Sequence, residues 1–343
     1  MDKIYKSILL TILIGMLSLL TISSVSANEV TINYFNSDGI EGAISKGNTT
    51  INLEEGTYKG EKNTNITINS GDNITIQSKD PDKKATIDGQ NMGQFIFNNG
   101  NLTLKNLIIK NCAMDLGGAL YNRGNLKIFN CIFINNVASS DTGSGSGGVI
   151  FNERNSNLTI ENSTFSNNYA PLNGGAIANN GGNINISGST FIQNSANLGG
   201  AIRNIGNLSV SYSYFVNNSD RNNNTIENRN GSIGILDFNW WGSNSNPNTM
   251  INGTSVNNYY TIIVNEIKVP SILQNATYKI NFVLNNTNNI ANSEKLPKIT
   301  FNIYLNGYLL GNYQSNENIN IEPKLGTNAV FLIPTIAIDN NLF

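Results

Sequence analysis

Gly174-Gly175-Ala176-Ile177, then Asn183-Ile184-Asn185-Ile186, then Phe191-Ile192-Gln193-Asn194: these three blocks form one unit of a pattern that runs through the middle of the chain. The Gly-Gly start recurs at Gly117-Gly118-Ala119-Leu120, Gly147-Gly148-Val149-Ile150 and Gly199-Gly200-Ala201-Ile202, at intervals of 30, 27 and 25 residues. Each is followed by Asn-(Leu/Ile), at Asn125-Leu126, Asn157-Leu158, Asn183-Ile184 and Asn207-Leu208. An earlier copy at Asn101-Leu102 lacks the glycines. Seven residues after each Leu or Ile comes Phe133, Phe165, Phe191 or Phe215, with Ile109 in the earliest copy, and three residues later Asn136, Asn168, Asn194 or Asn218. Within the blocks apolar residues alternate with polar ones, which is the period of a strand with one buried face, and no helical period of useful length appears.

A unit of about 25 residues cannot bury such a face alone, but stacked coils can, with equivalent strands pairing in parallel about 4.8 Å apart. Like residues then lie over like residues. The Phe positions become an internal stack. The Asn positions become ladders at turns, where Asn tolerates unusual backbone angles. The Gly pairs suit corners that need a positive φ or leave no room for a side chain. The expected fold is all-β: a right-handed single-stranded parallel β-helix followed by a small immunoglobulin-like β-sandwich.

The β-helix is expected over residues 28–255, with irregular opening coils over 28–100 and regular repeats over 101–235. Ile51 to Tyr58, Ile66 to Ile68, Ile74 to Ile76 and Ala85 to Gly89 alternate as opening strands, and Ile40 to Ile44 reads as a short helix or turn over the first coil. Residues 236–250 contain Asn239-Trp240-Trp241-Gly242 and read as a last coil sealed by large rings, with a sugar-stacking platform as the alternative. From 256 to 343 the composition shifts, and five stretches spaced 10–20 residues apart (Ile262–Val264, Tyr278–Leu284, Ile299–Tyr304, Ile319–Ile321, Val330–Ile338) suggest the sandwich. At the other end, Lys3 and Lys6, the apolar stretch Ile8 to Leu20 and Val25-Ser26-Ala27 read as a signal peptide over residues 1–27. The apolar run of about 15 residues is short for a membrane span of roughly 20.

Composition narrows the chemistry. The 343 residues carry a net charge of −2 and no histidine, so the commonest general base and transition-metal ligand are missing. That charge supplies no basic field for nucleic acid. A polysaccharide lyase or hydrolase would need two or three carboxylates, or a base with acidic calcium ligands, clustered on adjacent coils. The repeats offer Asp115, Asp141, Glu153 and Glu161 at no common register, and Arg123, Arg154 and Arg203 at differing offsets. Asp72, Asp80, Asp82 and Asp88 are interrupted by Lys79, Lys83 and Lys84 and read as a solvated turn. Asp141 to Gly148 has one acidic residue and no lysine, too little for a calcium or phosphate loop. Cys131 falls over Leu107, five positions from Cys112 on the neighbouring coil, so two separate thiols are expected. Asn-x-Ser/Thr sequons are frequent, including Asn65, Asn73, Asn101, Asn157, Asn207 and Asn275. No catalytic, cofactor-binding or metal-ligating residue is assigned, and no cofactor is expected.

The Gly-Gly-Ala-Ile and Phe-x-x-Asn blocks resemble the polymorphic outer-membrane-protein type of β-helix repeat. With the Asn-Trp-Trp-Gly segment, the chain resembles the adhesin-like proteins of gut methanogenic archaea, whose pectin-lyase-like β-helices are followed by immunoglobulin-like modules. The resemblance implies a surface location and adhesion, and supplies no ligand residues. The expectation is a non-enzymatic secreted or cell-surface protein whose polar wall binds a polysaccharide or protein partner. The alternatives are a structural envelope spacer and a polysaccharide-degrading enzyme.

Overall fold

The computed structural model describes residues 28–139, 143–229, 232–268, 276–285, 287, 289–305, 308–315, 318–321 and 335–336. The proposed signal peptide, Asp141 and Asn275 lie outside them. The chain winds into a right-handed parallel β-solenoid of about nine turns. The coil around Phe191 shows the order of faces. Ile177–Asn179 lies in sheet III, Asn183–Ser187 in sheet I, Thr190–Ile192 in sheet II and Ser195–Leu198 in a small sheet IV, before Ile202–Asn204 returns to sheet III. Sheet I has nine strands, from Glu29–Ile32 to Ile233–Ile235, sheet III has eight and sheet IV four.

Registration is strict. Asn125, Asn157, Asn183 and Asn207 pair in sequence, as do Phe133, Phe165, Phe191 and Phe215. The phenylalanine rings stack inside the solenoid with centroids 4.9, 4.8 and 4.9 Å apart and planes within 10° of parallel. The spacing of the rings is the spacing of the strands, so each coil places the next ring at van der Waals distance without a void. Alternate residues of sheets I and III, among them Leu158, Ile160, Ile177 and Ile184, complete one continuous core.

The corners explain the polar half of the repeat. Between sheets I and II the backbone is left-handed at Asn106, Asn130, Asn162 and Gly188, and after sheet II at Asn111, Asn135, Asn167 and Asn217. The two glycines of each pair answer different needs. The first, as at Gly174, has φ +61, whereas a Cβ on the second, Gly175, would lie 2.1 Å from the carbonyl oxygen of Gly200. Three amide ladders result. Two are interior: Asn136–Asn168–Asn194–Asn218 and Asn98–Asn122–Asn152–Asn179–Asn204–Asn228. The third, Asn101–Asn125–Asn157–Asn183–Asn207, lies on the exposed side of sheet I.

Both cysteines occupy ladder positions. Cys112 starts the column that continues as Asn136 and donates its N–H to the Asn136 Oδ1 at 3.0 Å, while Cys131 precedes Ser163, Ser189 and Ser213 and donates its N–H to Ser163 Oγ at 3.1 Å. They are free thiols, and burial pushes both up to about 12. At mildly alkaline pH both stay protonated and shielded, so an aromatic disulfide reagent should titrate no thiol in the native protein and two after denaturation. Rapid native labelling at either position would contradict this packing.

The ends are closed differently. The helix Gly39–Ser45 lays Ile40 and Ala43 over the first coil, as the apolar spacing suggested. At the other end Trp241 stacks on Phe215 at 4.7 Å and finishes the interior column. Trp240 points outward from sheet II and meets Tyr214 and Phe282 edge-on. Both indoles are buried, so the sugar-platform alternative for this pair is overturned.

The C-terminal segment is not set apart from the solenoid at residue 256. Tyr259–Lys268 pairs in parallel with Asn239–Trp240 and extends sheet II, then pairs antiparallel with Ala276–Leu284, which meets Asn318–Ile321. A separate antiparallel sheet holds Thr300–Leu305, Tyr308–Gln314 and Thr335–Ile336. These strands do not by themselves establish an immunoglobulin-like sandwich. Tyr260, Phe282, Leu296 and Ile299 form a second apolar cluster with Ile192, Tyr214, Val216 and Trp240 on the outer face of sheet II. Tyr212 and Phe238 take the left-handed corner that Asn or Gly holds elsewhere. Bulky residues are costly there. Their stacked rings pack against this second cluster, and Lys295 sits 4.9 Å over Tyr212, which offsets the strain.

Candidate functional surfaces

Sheet I presents the polar wall. Its outward positions fall into rows along the solenoid axis. One row reads Asn73, Asn101, Asn125, Asn157, Asn183, Asn207, and the next reads Thr75, Thr103, Lys127, Thr159, Asn185, Ser209. Neighbouring amides of the first row, from Asn101 on, are joined by Nδ2-to-Oδ1 bonds of 2.8–3.0 Å. An amide carries two donors and two lone pairs, so each member inside this ladder keeps one N–H and one lone pair for solvent or a ligand. The sequon residues Asn157 and Asn207 belong to this row and are exposed.

At its C-terminal end the wall changes character. The last strand puts Ile233 and Ile235 in the two rows, with Gly234 on the inward side. Both isoleucines are 58% exposed. Together with the preceding three coils they line a shallow groove of about 260 Å³. A second, larger cleft of about 610 Å³ lies near the opening coils between the N-terminal helix and Asn65–Ile74, with Glu41 and Asp72 on its rim. Glu41 is held by Lys62 at 2.7 Å, and Asp72 accepts the Asn69 N–H at 2.8 Å.

Sheet III carries a different surface. Phe97, Tyr121 and Phe151 occupy one outward row, with centroids 4.9 and 5.3 Å apart, and the Arg123 guanidinium lies 5.7 and 5.5 Å from the first two rings. The row continues as Ala178, Arg203 and Glu227. Because these rings stack on one another, they show solvent their edges more than their faces. The row was legible in Ile96-Phe97-Asn98, Leu120-Tyr121-Asn122 and Ile150-Phe151-Asn152, a recurring aromatic-Asn pair that the Gly-Gly and Phe blocks overshadow.

The acidic residues do not converge. Glu153 follows the sheet III strand and receives the Tyr121 hydroxyl at 2.7 Å and the Asn180 amide at 2.8 Å. Partial burial opposes its ionisation, but hydrogen bonds from Tyr121, the Arg154 N–H and Asn180 outweigh that and hold the carboxyl below its usual range. Glu161 closes the sheet I strand Asn157–Glu161. Asp115 bonds Ser139 beside sheet IV, and Asp88 sits at the end of a sheet II strand with Lys59 at 3.8 Å. Asp80 and Asp82 form a solvated turn, with Lys79 and Lys83 reaching to Glu54 and Glu55, but Asp72 lies in an earlier turn and Asp88 is buried at the end of its strand, so the four do not share the one turn expected. Arg123, Arg154 and Arg203 keep their different offsets but belong to sheet III or the turn after it. Among the described residues no three His, Cys, Asp or Glu side chains come together as metal ligands, and no helix is long and apolar enough to cross a membrane. The chain matches no known family model, no curated protein and no solved structure.

Proposed function

We propose that this chain is a non-enzymatic adhesin-like protein, secreted through residues 1–27 and displayed outside the cell, whose β-helix wall binds a polysaccharide or protein partner. The observation that carries this reading is the exposed amide ladder of sheet I. Each amide inside it keeps one N–H and one lone pair that the ladder does not use, at even spacing along the exposed wall. Each contact with a ligand would be weak, because it exchanges for water, so affinity would come from repetition along the axis. The C-terminal strands, which continue from sheet II at the last coil, are read as an immunoglobulin-like module.

The test is a glycan-array assay on residues 28–343, with released sugars followed on the same substrates. Reproducible binding without product is the expected result. Product release would overturn the non-enzymatic reading and make Glu153 and Glu161 the first residues to replace. Absence of binding to glycans and to surface proteins alike would leave an envelope spacer.

A further inference from the structure

We infer that the C-terminal end of the sheet I wall is a subsite for a neutral polysaccharide, with Asn183, Asn207, Asn185 and Ser209 bonding its hydroxyl or acetamido groups and Ile233 and Ile235 packing against its apolar ring face. This rests on the adhesin reading and adds the ligand class and the place.

Three observations support it. First, every residue lining the groove is uncharged. A charged ligand would be desolvated there with no opposite charge to meet it, which is costly. Second, Ile233 and Ile235 stand where all six preceding coils carry Asn in one row, and Thr, Lys, Asn or Ser in the other. The fold does not require the change. Inward packing at this coil is supplied by Leu236, and both isoleucines remain 58% exposed. Two adjacent apolar side chains beside an open amide row form a surface with a hydrogen-bonding half and a hydrocarbon half. A pyranose has the same division, with hydroxyls at its rim and C–H groups on its faces.

The third observation is the ladder's end. Asn207 Nδ2 donates to Asn183 Oδ1 at 2.8 Å, but the next coil offers Ile233 in place of an amide. Among the described residues, the Asn207 Oδ1 therefore lacks the amide donor that every earlier member of the ladder receives from the next coil. A ligand hydroxyl fills that place. A peptide strand is a poorer occupant, because the sheet's face offers side chains and no backbone ladder, whereas a repeating glycan can follow the ~4.8 Å coil spacing.

The experiment measures binding of the full chain to immobilised neutral glycans (β-linked glucose, N-acetylglucosamine, mannose and xylose polymers) and to an acidic one (a polygalacturonate) at low and high salt. It compares wild type with Ile233→Asn/Ile235→Ser and with Ser209→Lys. All three positions are on the surface, and circular dichroism and melting should be unchanged. The expected result is binding by wild type that salt does not weaken, and at least tenfold loss in both variants. If wild type binds neutral glycans and both variants bind equally well, the subsite is wrong while the adhesin reading stands. If only acidic glycans bind, in a salt-sensitive manner, the subsite is also wrong and the arginine-bearing face of sheet III becomes the candidate. If no glycan binds, the subsite is wrong, and the adhesin reading then stands or falls on binding to surface proteins.

Discussion

Phe191→Ala is expected to lower stability by about 3–5 kcal/mol, the cost of removing a fully enclosed aromatic ring from a core that cannot collapse around the gap. Phe191 lies between Phe165 at 4.8 Å and Phe215 at 4.9 Å, with interplanar angles of 4° and 8°, and none of its surface reaches solvent. The neighbouring rings are fixed by backbone pairing on both sides, so they cannot slide into the vacancy. Phe191→Leu keeps most of the volume and should cost much less, about 1–1.5 kcal/mol. Urea midpoints of the two variants and wild type give the comparison. Equal midpoints for the alanine and leucine variants would sink the claim that the stack is a rigid column.

Asn179→Ala is the second large effect, expected at about 3–4 kcal/mol, because it leaves two buried donors without acceptors at roughly 1–3 kcal/mol each. Asn179 Oδ1 accepts from Asn152 Nδ2 at 3.0 Å and from the Gly182 N–H at 3.1 Å, and its own amide donates to Asn204 Oδ1 at 2.7 Å. Asn179 is 2% exposed, so bulk solvent does not substitute for the lost acceptor. Asn183→Ala, four residues on in the same coil, breaks the corresponding bonds to Asn157 and Asn207 on the exposed wall. Solvent satisfies those partners, so the expected cost is below about 1 kcal/mol. A pair of variants with the same chemistry and opposite exposure therefore separates buried satisfaction from amide bonding itself. Comparable losses in both would contradict the assignment of one ladder to the core and the other to the surface.

The sequence made the solenoid legible because its signals are redundant. Gly175 cannot bear a side chain, Phe191 must stack, and Asn194 must cap a corner, and all three repeat at the same interval. The opening coils were readable from alternation alone, and the closing role of Trp241 from ring size, whereas the outward turn of Trp240 was not. The interior ladder through Asn179 was less visible. A buried Asn and an exposed Asn look alike in sequence, and only the register of sheet III separates them. The junction with the C-terminal segment was hidden for a related reason. Tyr212 and Phe238 look like ordinary aromatics until their positive φ shows that they replaced Asn at a corner. The groove on sheet I gave one signal, Ile233-Gly234-Ile235, which reads in sequence as a strand with its core face out of phase. No functional site was legible, because amides and hydroxyls spaced for strand pairing carry no chemistry of their own.

The exposed ladder also has a direction. Each amide of that row points its nitrogen toward the preceding coil and its oxygen toward the following one, while the two interior ladders run the opposite way. The outer wall is therefore a vector: donors look toward the N-terminal end and acceptors toward the C-terminal end. A polymer whose two ends differ meets it in two unequal senses, forward and reversed. A chain held by this row would be laid down with one polarity, so the protein would act on its partner as a compass as well as a grip.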